Sequence, residues 1–471
     1  MSETIAASRR AAYEVVRRVF EDDAWADRAF PAAAERHRLD ARERSQAQRL
    51  AYGAVQRRGT ADHLIELLAS RPVHRLDPPV LAALRLGLYE LLFSRGTPDH
   101  AAVSQAVELA KSGLAEEHPG ATRRADAAGG LANAILRRAG SERATLLAGI
   151  DDSTPEGAAV LHSYPPWLAG LWWRELGPSD ARAVMTAMNE PAETALRVNT
   201  LSADPELVLD LLRGGGEDAF RPEAAAPLAP PEALVVRGRL GRLALERIAA
   251  GDLLAQARGS QAVVALLDPQ PGERVLDLCA APGVKTTAIA ARMRNEGEVV
   301  AVEIDPGRAA RLRELCGRLG AACVRVIEQD AIGVDIGDGY DRILVDPPCS
   351  DLGTLASRPD ARWRKSPELV GRLAAIQGAI LARASRALRP GGTLVYSTCT
   401  ISGAENEDRI EALLSEDPAL RAEDLGALHP GLASGRGPRF VQTRPDRDRT
   451  EGLFIARLRR GPGGSGGAGG V

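Results

Sequence analysis

Apolar residues recur at helical spacing through the first third of the chain. Ala12, Val15, Val16, Val19 and Phe20 share one face of a helical repeat, with charged residues between them. The same spacing predicts helices over Ala11–Phe20, Ala47–Val55, Ala61–Leu68, Pro79–Phe93, His100–Leu114 and Gly130–Leu136. Gly, Pro and Asp breakers separate them, and Pro78-Pro79 ahead of Val80 suits a helix start. Glu116–Ala128 is polar and small and reads as a loop. Helices with short connections predict a compact bundle.

The pattern changes after residue 150. Ser163-Tyr164-Pro165-Pro166-Trp167 leads into an apolar helix, Thr194–Thr200 reads as a strand, Pro205–Leu212 as a helix, and Pro222–Pro231 as a loop. The aromatics of this stretch suit either a core or a platform for RNA. From about 255, apolar runs alternate with amphipathic ones. Strands are predicted over 273–278, 297–303, 322–327, 341–346, 392–397 and 453–458, and helices over 284–293, 307–319, 367–388 and 403–415. This alternation predicts a mostly parallel, doubly wound sheet with its active residues at the carboxyl ends of the strands. The expected architecture is multidomain: an all-α bundle over 1–145, a small α+β linker module over 146–250, and a Rossmann-like α/β domain over 251–460. The Gly-rich end, 461–471, is expected to be a disordered tail.

Composition narrows the class. Hydrophobic residues make up 45% of the 471, an ordinary share for chains with real cores. No apolar run is long enough for a transmembrane helix, and Met1-Ser2-Glu3-Thr4 lacks a secretion-signal layout, so a cytoplasmic location is expected. Five cysteines, an odd number without C-x-x-C, argue against a disulfide scaffold and a structural zinc site, and no metal is expected. The net charge of −3 excludes a bulk polyanion binder, although residues 1–145 carry 22 Lys+Arg against 19 Asp+Glu. The only lysines are Lys111, Lys285 and Lys365.

Three loops at predicted strand ends carry the chemistry. The first, Cys279-Ala280-Ala281-Pro282-Gly283-Val284-Lys285, opens a helix, and its small residues let backbone amides approach an anionic ligand. It is neither G-x-G-x-x-G nor a P-loop. Glu303 ends the next strand, where a carboxylate can accept ribose hydroxyls. Asp305 beside it reads better as a helix cap, and Asp330 after the third strand is placed to receive an adenine amino group. Together these features predict S-adenosylmethionine, with NAD the alternative they leave open.

The second loop, Asp346-Pro347-Pro348-Cys349, has a thiol where enzymes that methylate exocyclic amines carry an aromatic. The third, Ser397-Thr398-Cys399, follows the neighbouring strand and precedes a predicted helix whose N-terminus is expected to lower the thiol pKa. Two thiols and a carboxylate beside a cofactor turn suit methyl transfer to C5 of a pyrimidine. That carbon becomes nucleophilic only when a thiolate adds next to it. Arg358, Arg362, Trp363 and Lys365 follow the second loop, as a phosphate grip and stacking group or as an ordinary surface helix. Cys316 and Cys323 read as core. The rival readings are a non-catalytic RNA-binding or antitermination-type factor, and an enzyme that methylates an amino group.

These loops resemble the RNA 5-methylcytosine methyltransferases of the RsmB/Sun (Fmu) family, relatives of the NSUN-type enzymes. Leu276–Gly283 resembles the cofactor loop, Asp346–Ser350 the substrate loop, Ser397–Cys399 the nucleophile loop, and Arg197-Val198-Asn199-Thr200 a short signature ahead of the catalytic domain. Residues 1–140, with Leu84–Leu92 and Leu131–Arg137, resemble a NusB-type RNA-binding domain, a fusion typical of the 16S rRNA enzymes. The resemblance implies a class I methyltransferase fold, 16S ribosomal RNA as partner, and a monomer. It implies Cys399 as nucleophile toward C6, Cys349 as the aid to release, and Asp346 as the group that holds the base. It implies S-adenosylmethionine at Cys279, Ala280, Ala281, Pro282, Gly283, Val284, Lys285, Glu303, Asp330 and Asp346. Val284 and Asp351 stand where this family commonly has Gly, and Ala257 where it has an acidic residue.

Overall fold

The computed structural model describes residues 5–223, 225–333 and 335–462, so most of the Gly-rich end falls outside the described residues. The described residues form two compact units, one within 1–190 together with 355–365 and one within 191–354 together with 366–471.

The first unit is helical. Helix Pro78–Leu92 is apolar on nearly every face, with Val80, Leu84, Leu86, Leu88 and Leu91 buried, so it lies at the centre of the bundle. Burying each of these side chains contributes about 1.5–3 kcal/mol. Its two buried charges are both paired, Arg85 with Asp62 and Glu90 with Arg9. Gly53 allows the tight packing of helix Ala41–Gln56, because a Cβ there would lie 1.9 Å from the Tyr89 ring.

Two features differ from the sequence pattern. Helix Ala26–Arg36 escapes prediction because Pro31 inside it reads as a breaker. The predicted loop Glu116–Ala128 is mostly helix: Asp99–Glu117 stops, and Thr122–Ser141 begins after a break at 118–121. Alanine there needs no bulk to be helical, and Ala125 and Ala128 are buried. Helices Pro155–His162, Pro166–Leu176 and Pro178–Ala187 complete this unit. Tyr164 and Trp172 pack edge to face with ring centroids 5.5 Å apart, and both are buried, so these aromatics are core rather than an RNA platform.

The second unit begins with four antiparallel strands: β1 (Thr194–Val198), β2 (Ala219–Phe220), β3 (Ala233–Val236) and β4 (Leu253–Ala255), in the order β2-β3-β1-β4. The larger sheet follows with β5 (Arg274–Leu278), β6 (Glu298–Glu303), β7 (Val324–Glu328), β8 (Tyr340–Val345), β9 (Leu388–Thr398), β10 (Leu420–Ala422), β11 (Val441–Gln442) and β12 (Phe454–Arg460). Its order is β10-β12-β9-β8-β5-β6-β7, with β5 to β9 parallel and β12 antiparallel to β9. The central runs Val275-Leu276, Val299–Val302 and Ile343–Val345 are fully buried, as expected of parallel strands covered on both faces. The chain moves outward from β5 through β6 to β7, then restarts on the other side of β5 with β8. That reversal opens a crevice at the carboxyl ends of β5 and β8. This is a Rossmann-like α/β fold, and in chain order a helical bundle and a small α+β module precede it.

Arg197 and Asn199 join the small sheet to the large one. Burial lowers the Arg197 pKa to about 10, and its guanidinium donates to Thr287 Oγ1 at 2.9 Å. The Asn199 amide donates to the Gly251 and Leu319 carbonyls at 3.0 and 2.9 Å.

Candidate active site

After β5 the chain turns at once into helix Val284–Arg292. Cys279 takes a left-handed φ of +65° and Gly283 one of +103°. A Cβ on Gly283 would lie 2.5 Å from Leu312 Cδ1, so this position admits no side chain. Asp277 is buried in β5 and accepts a 2.6 Å hydrogen bond from Thr286 Oγ1. Burial pushes its carboxyl up to about 7, with Thr286 opposing and Asp346 adding to the shift. Burial also pushes the Cys279 thiol up to about 12.

Glu303 ends β6 almost fully buried, its carboxylate accepting from the Asp305 amide at 3.0 Å. Asp305 caps the next helix, accepting from the Arg308 amide at 2.7 Å, as its sequence position predicts. Asp330, after β7, is exposed and accepts from the Ile332 amide at 3.0 Å. Two large apolar side chains stand beside these acids: Ile304 is 62% exposed and Ile332 41%. The sequence reading passed over both, because an isoleucine after a strand reads as core.

Asp346, after β8, is bridged from both sides. Lys285 Nζ donates to one carboxylate oxygen at 2.7 Å and Ser397 Oγ to the other at 2.9 Å. Burial opposes the Lys285 charge, but the Asp346 carboxylate outweighs it and its pKa rises. Beyond lie the two thiols. Cys349 Sγ and Cys399 Sγ are 3.2 Å apart, and Cys399 Sγ is 3.1 Å from Asp351 Oδ1.

The expected lowering of the Cys399 pKa is not found. The contact with Cys349, burial, and the Asp351 and Asp346 carboxylates push this thiol well above its ordinary value. The helix whose N-terminus was to lower it starts only at Glu407. Glu405, just ahead of that helix, turns into the interior instead.

Glu405 organises the loops and has no motif that singles it out. Its Oε1 accepts from the Ser350 amide at 2.9 Å and from Gln377 Nε2 at 3.0 Å, while its Oε2 accepts from Ser350 Oγ. Gln377 also donates to the Pro348 carbonyl at 3.0 Å, and Ser350 Oγ lies 2.7 Å from Thr400 Oγ1. Burial raises the Glu405 pKa.

Two residues of the cluster after the second loop, Arg362 and Trp363, are structural. Arg362 is fully buried in the first unit, stacked 4.1 Å from the Tyr164 ring centroid, and donates to the Ser163 carbonyl and Asn189 Oδ1 at 3.1 and 2.9 Å. Trp363 Nε1 donates to the Val55 carbonyl at 2.8 Å. Both side chains have protein partners where a phosphate or a base was the alternative.

Known proteins match along nearly the whole chain. The model of the 16S rRNA methyltransferase RsmB/F family matches residues 264–459, that of the NusB family 6–141, and that of the RsmF/B-like ferredoxin-like domain 164–234. A probable ribosomal RNA small subunit methyltransferase B of Synechocystis is 32% identical over 96% of this chain and 99% of its own. The chain belongs to the RsmB/F family. A putative methyltransferase of Mycobacterium tuberculosis is 35% identical over 96% of both chains. The crystal structure of a methyltransferase homologue from Pyrococcus horikoshii, 26% identical, covers 65% of this chain and 99% of its own with a TM-score of 0.58.

The three positions that the resemblance set apart have distinct physical settings. Val284 is the first residue of its helix, where helical φ accepts any side chain. Ala257 is the N-cap of helix Arg258–Leu267 and makes no side-chain cap, which forgoes about 1 kcal/mol. Asp351 sits at φ +57°, a left-handed conformation that Gly adopts freely and Asp tolerates. Among the described residues no helix is long and apolar enough to cross a membrane.

Proposed function

We propose that this RsmB/F methyltransferase uses S-adenosylmethionine to methylate C5 of a cytosine in 16S ribosomal RNA, through a covalent adduct between Cys399 and C6. The observation that carries this reading is the 3.2 Å approach of Cys349 and Cys399 beside the crevice at β5 and β8. Two sulfurs so close can meet one base.

The cofactor pocket supports the reading. The turn 279–285 offers backbone next to a Gly that admits no Cβ, Glu303 suits the ribose hydroxyls, and Asp330 an adenine amino group. Exposed Ile304 and Ile332 suit the adenine faces. Bound there, S-adenosylmethionine supplies an electrophilic methyl group to C5.

The chain does the rest. The helical residues 1–145 hold the RNA by shape and charge, with Arg contacts that position rather than specify. The target cytosine leaves its stack to reach the crevice. Asp346 keeps a second lone pair on each oxygen for the ring N3–H and the amino group. The Cys399 thiol proton leaves to solvent, ring N3 takes one up and donates it to Asp346, and the sulfur adds to C6, placing an electron pair on C5. After C5 is methylated it loses its proton with help from Cys349. The C–H electrons restore the C5–C6 double bond as the sulfur–C6 bond breaks and its pair returns to Cys399, while N3 gives its proton back to solvent and the thiolate takes one up.

The test incubates Cys349→Ala and Cys399→Ala variants with 16S rRNA and S-adenosylmethionine. Cys349→Ala is expected to accumulate a denaturation-resistant RNA–protein adduct, and Cys399→Ala none. The opposite pattern reverses the two roles. Methylated exocyclic nitrogen in the product nucleoside, read by mass spectrometry, overturns the proposal. Bisulfite sequencing of rRNA with and without the gene identifies the cytosine.

A further inference from the structure

Asp351 has no part in that scheme, yet its carboxylate faces both sulfurs. It lies 3.1 Å from Cys399 Sγ and 3.7 Å from Cys349 Sγ, and the sulfurs are 3.2 Å from each other. Among the described residues this is the one group of three cysteine, histidine or acidic residues whose ligand atoms all lie within 4.8 Å. Zinc bonds of about 2.3 Å to sulfur and 2.0–2.2 Å to oxygen give tetrahedral edges of about 3.5–3.8 Å. Two of the observed edges, at 3.2 and 3.1 Å, need to open by about half an ångström to meet that triangle, and the third, at 3.7 Å, already does.

The three donors are also held in place. The Asp351 carbonyl accepts from both the amide and the hydroxyl of Thr354, each at 3.0 Å, and the Cys399 carbonyl from the Gly353 amide at 2.9 Å. Ser350, between Cys349 and Asp351, is fixed by Glu405 and Thr400.

We propose that Cys349, Cys399 and Asp351 form a binding site for a thiophilic divalent cation, zinc foremost, whose occupancy withdraws both thiols from chemistry. Each thiol passes its proton to solvent, so one zinc displaces two protons and is bound by two thiolates and one carboxylate, with a fourth position open to water. Two sulfur donors select zinc, cadmium or cobalt over magnesium or calcium. This site goes beyond the methyl-transfer reading and does not depend on it.

The test uses the full-length protein with a thiol-free reductant. Cobalt(II) is titrated in, and one equivalent is expected to give sulfur-to-cobalt charge-transfer absorption and the visible bands of tetrahedral cobalt. Both are lost in Cys349→Ser and Cys399→Ser, and Asp351→Gly weakens binding by at least the ~10–100-fold that losing an outer-shell partner costs. In the wild type, one equivalent of zinc slows iodoacetamide alkylation of Cys349 and Cys399 together, with Cys323 as internal control. Octahedral cobalt spectra, spectra shared by all variants, or alkylation unchanged by zinc overturn the proposal, whatever the methylated product proves to be.

Discussion

Lys285 and Asp346 meet at 2.7 Å, tying the first turn after β5 to the loop after β8. Lys285→Met leaves Asp346 half-buried without its cation, at a cost of about 1–3 kcal/mol. Urea unfolding is expected to show that loss, and calorimetry a larger loss of S-adenosylmethionine affinity than Lys285→Arg produces. Unchanged affinity in Lys285→Met would remove Lys285 from the cofactor site.

Asp277 gives a pH dependence with a definite sign. Its carboxyl titrates near 7 in the folded chain against 3.8 when free, so the folded state holds the proton more tightly. Its contribution to stability is complete below about pH 4 and is lost as the pH rises through 7. The full difference is at most about 4 kcal/mol. Urea midpoints measured from about pH 4 to about pH 8 should fall more steeply for the wild type than for Asp277→Asn. Parallel curves would show that Asp277 titrates normally.

Gly283 combines positive φ with a crowded site. Gly283→Ala strains the backbone and displaces Leu312, costing about 2–4 kcal/mol. Differential scanning fluorimetry reads the stability loss. S-adenosylmethionine is expected to raise the melting temperature of the wild type and not of the variant.

Arg362 was a candidate RNA grip and is a buried strut. Arg362→Ala leaves the Ser163 carbonyl and Asn189 without their donor and removes the stack on Tyr164, for a loss of about 3 kcal/mol. Arg362→Lys does not restore it, because an ammonium cannot reproduce the planar fork. A variant of unchanged stability with weaker RNA binding would return Arg362 to the interface.

Much of the site was legible in the sequence because apolar strand runs end abruptly in polar loops. The strand predicted over 273–278 is β5 at 274–278, and that over 341–346 is β8 at 340–345. Cys279, Asp346, Cys349 and Cys399 could therefore be assigned to strand ends by counting along the chain. The Ala26–Arg36 helix was not legible, because Pro31 outweighs its pattern locally and only burial of Ala29, Phe30 and Ala33 overrides it. Glu405 was equally hidden, since a carboxylate ahead of a helix reads as a surface cap until the fold buries it against Ser350.

Alternation of apolar and polar positions thus determined the elements, their order and the loops that carry the thiols, because these depend on short-range periodicity. Tertiary structure alone decided the distances. It set two sulfurs 3.2 Å apart from positions fifty residues distant, aimed Asp351 at both, and turned Arg362 inward. Which side chains share a crevice, and which lose their water, depends on how strands far apart in the chain pair and pack, and no local pattern records that.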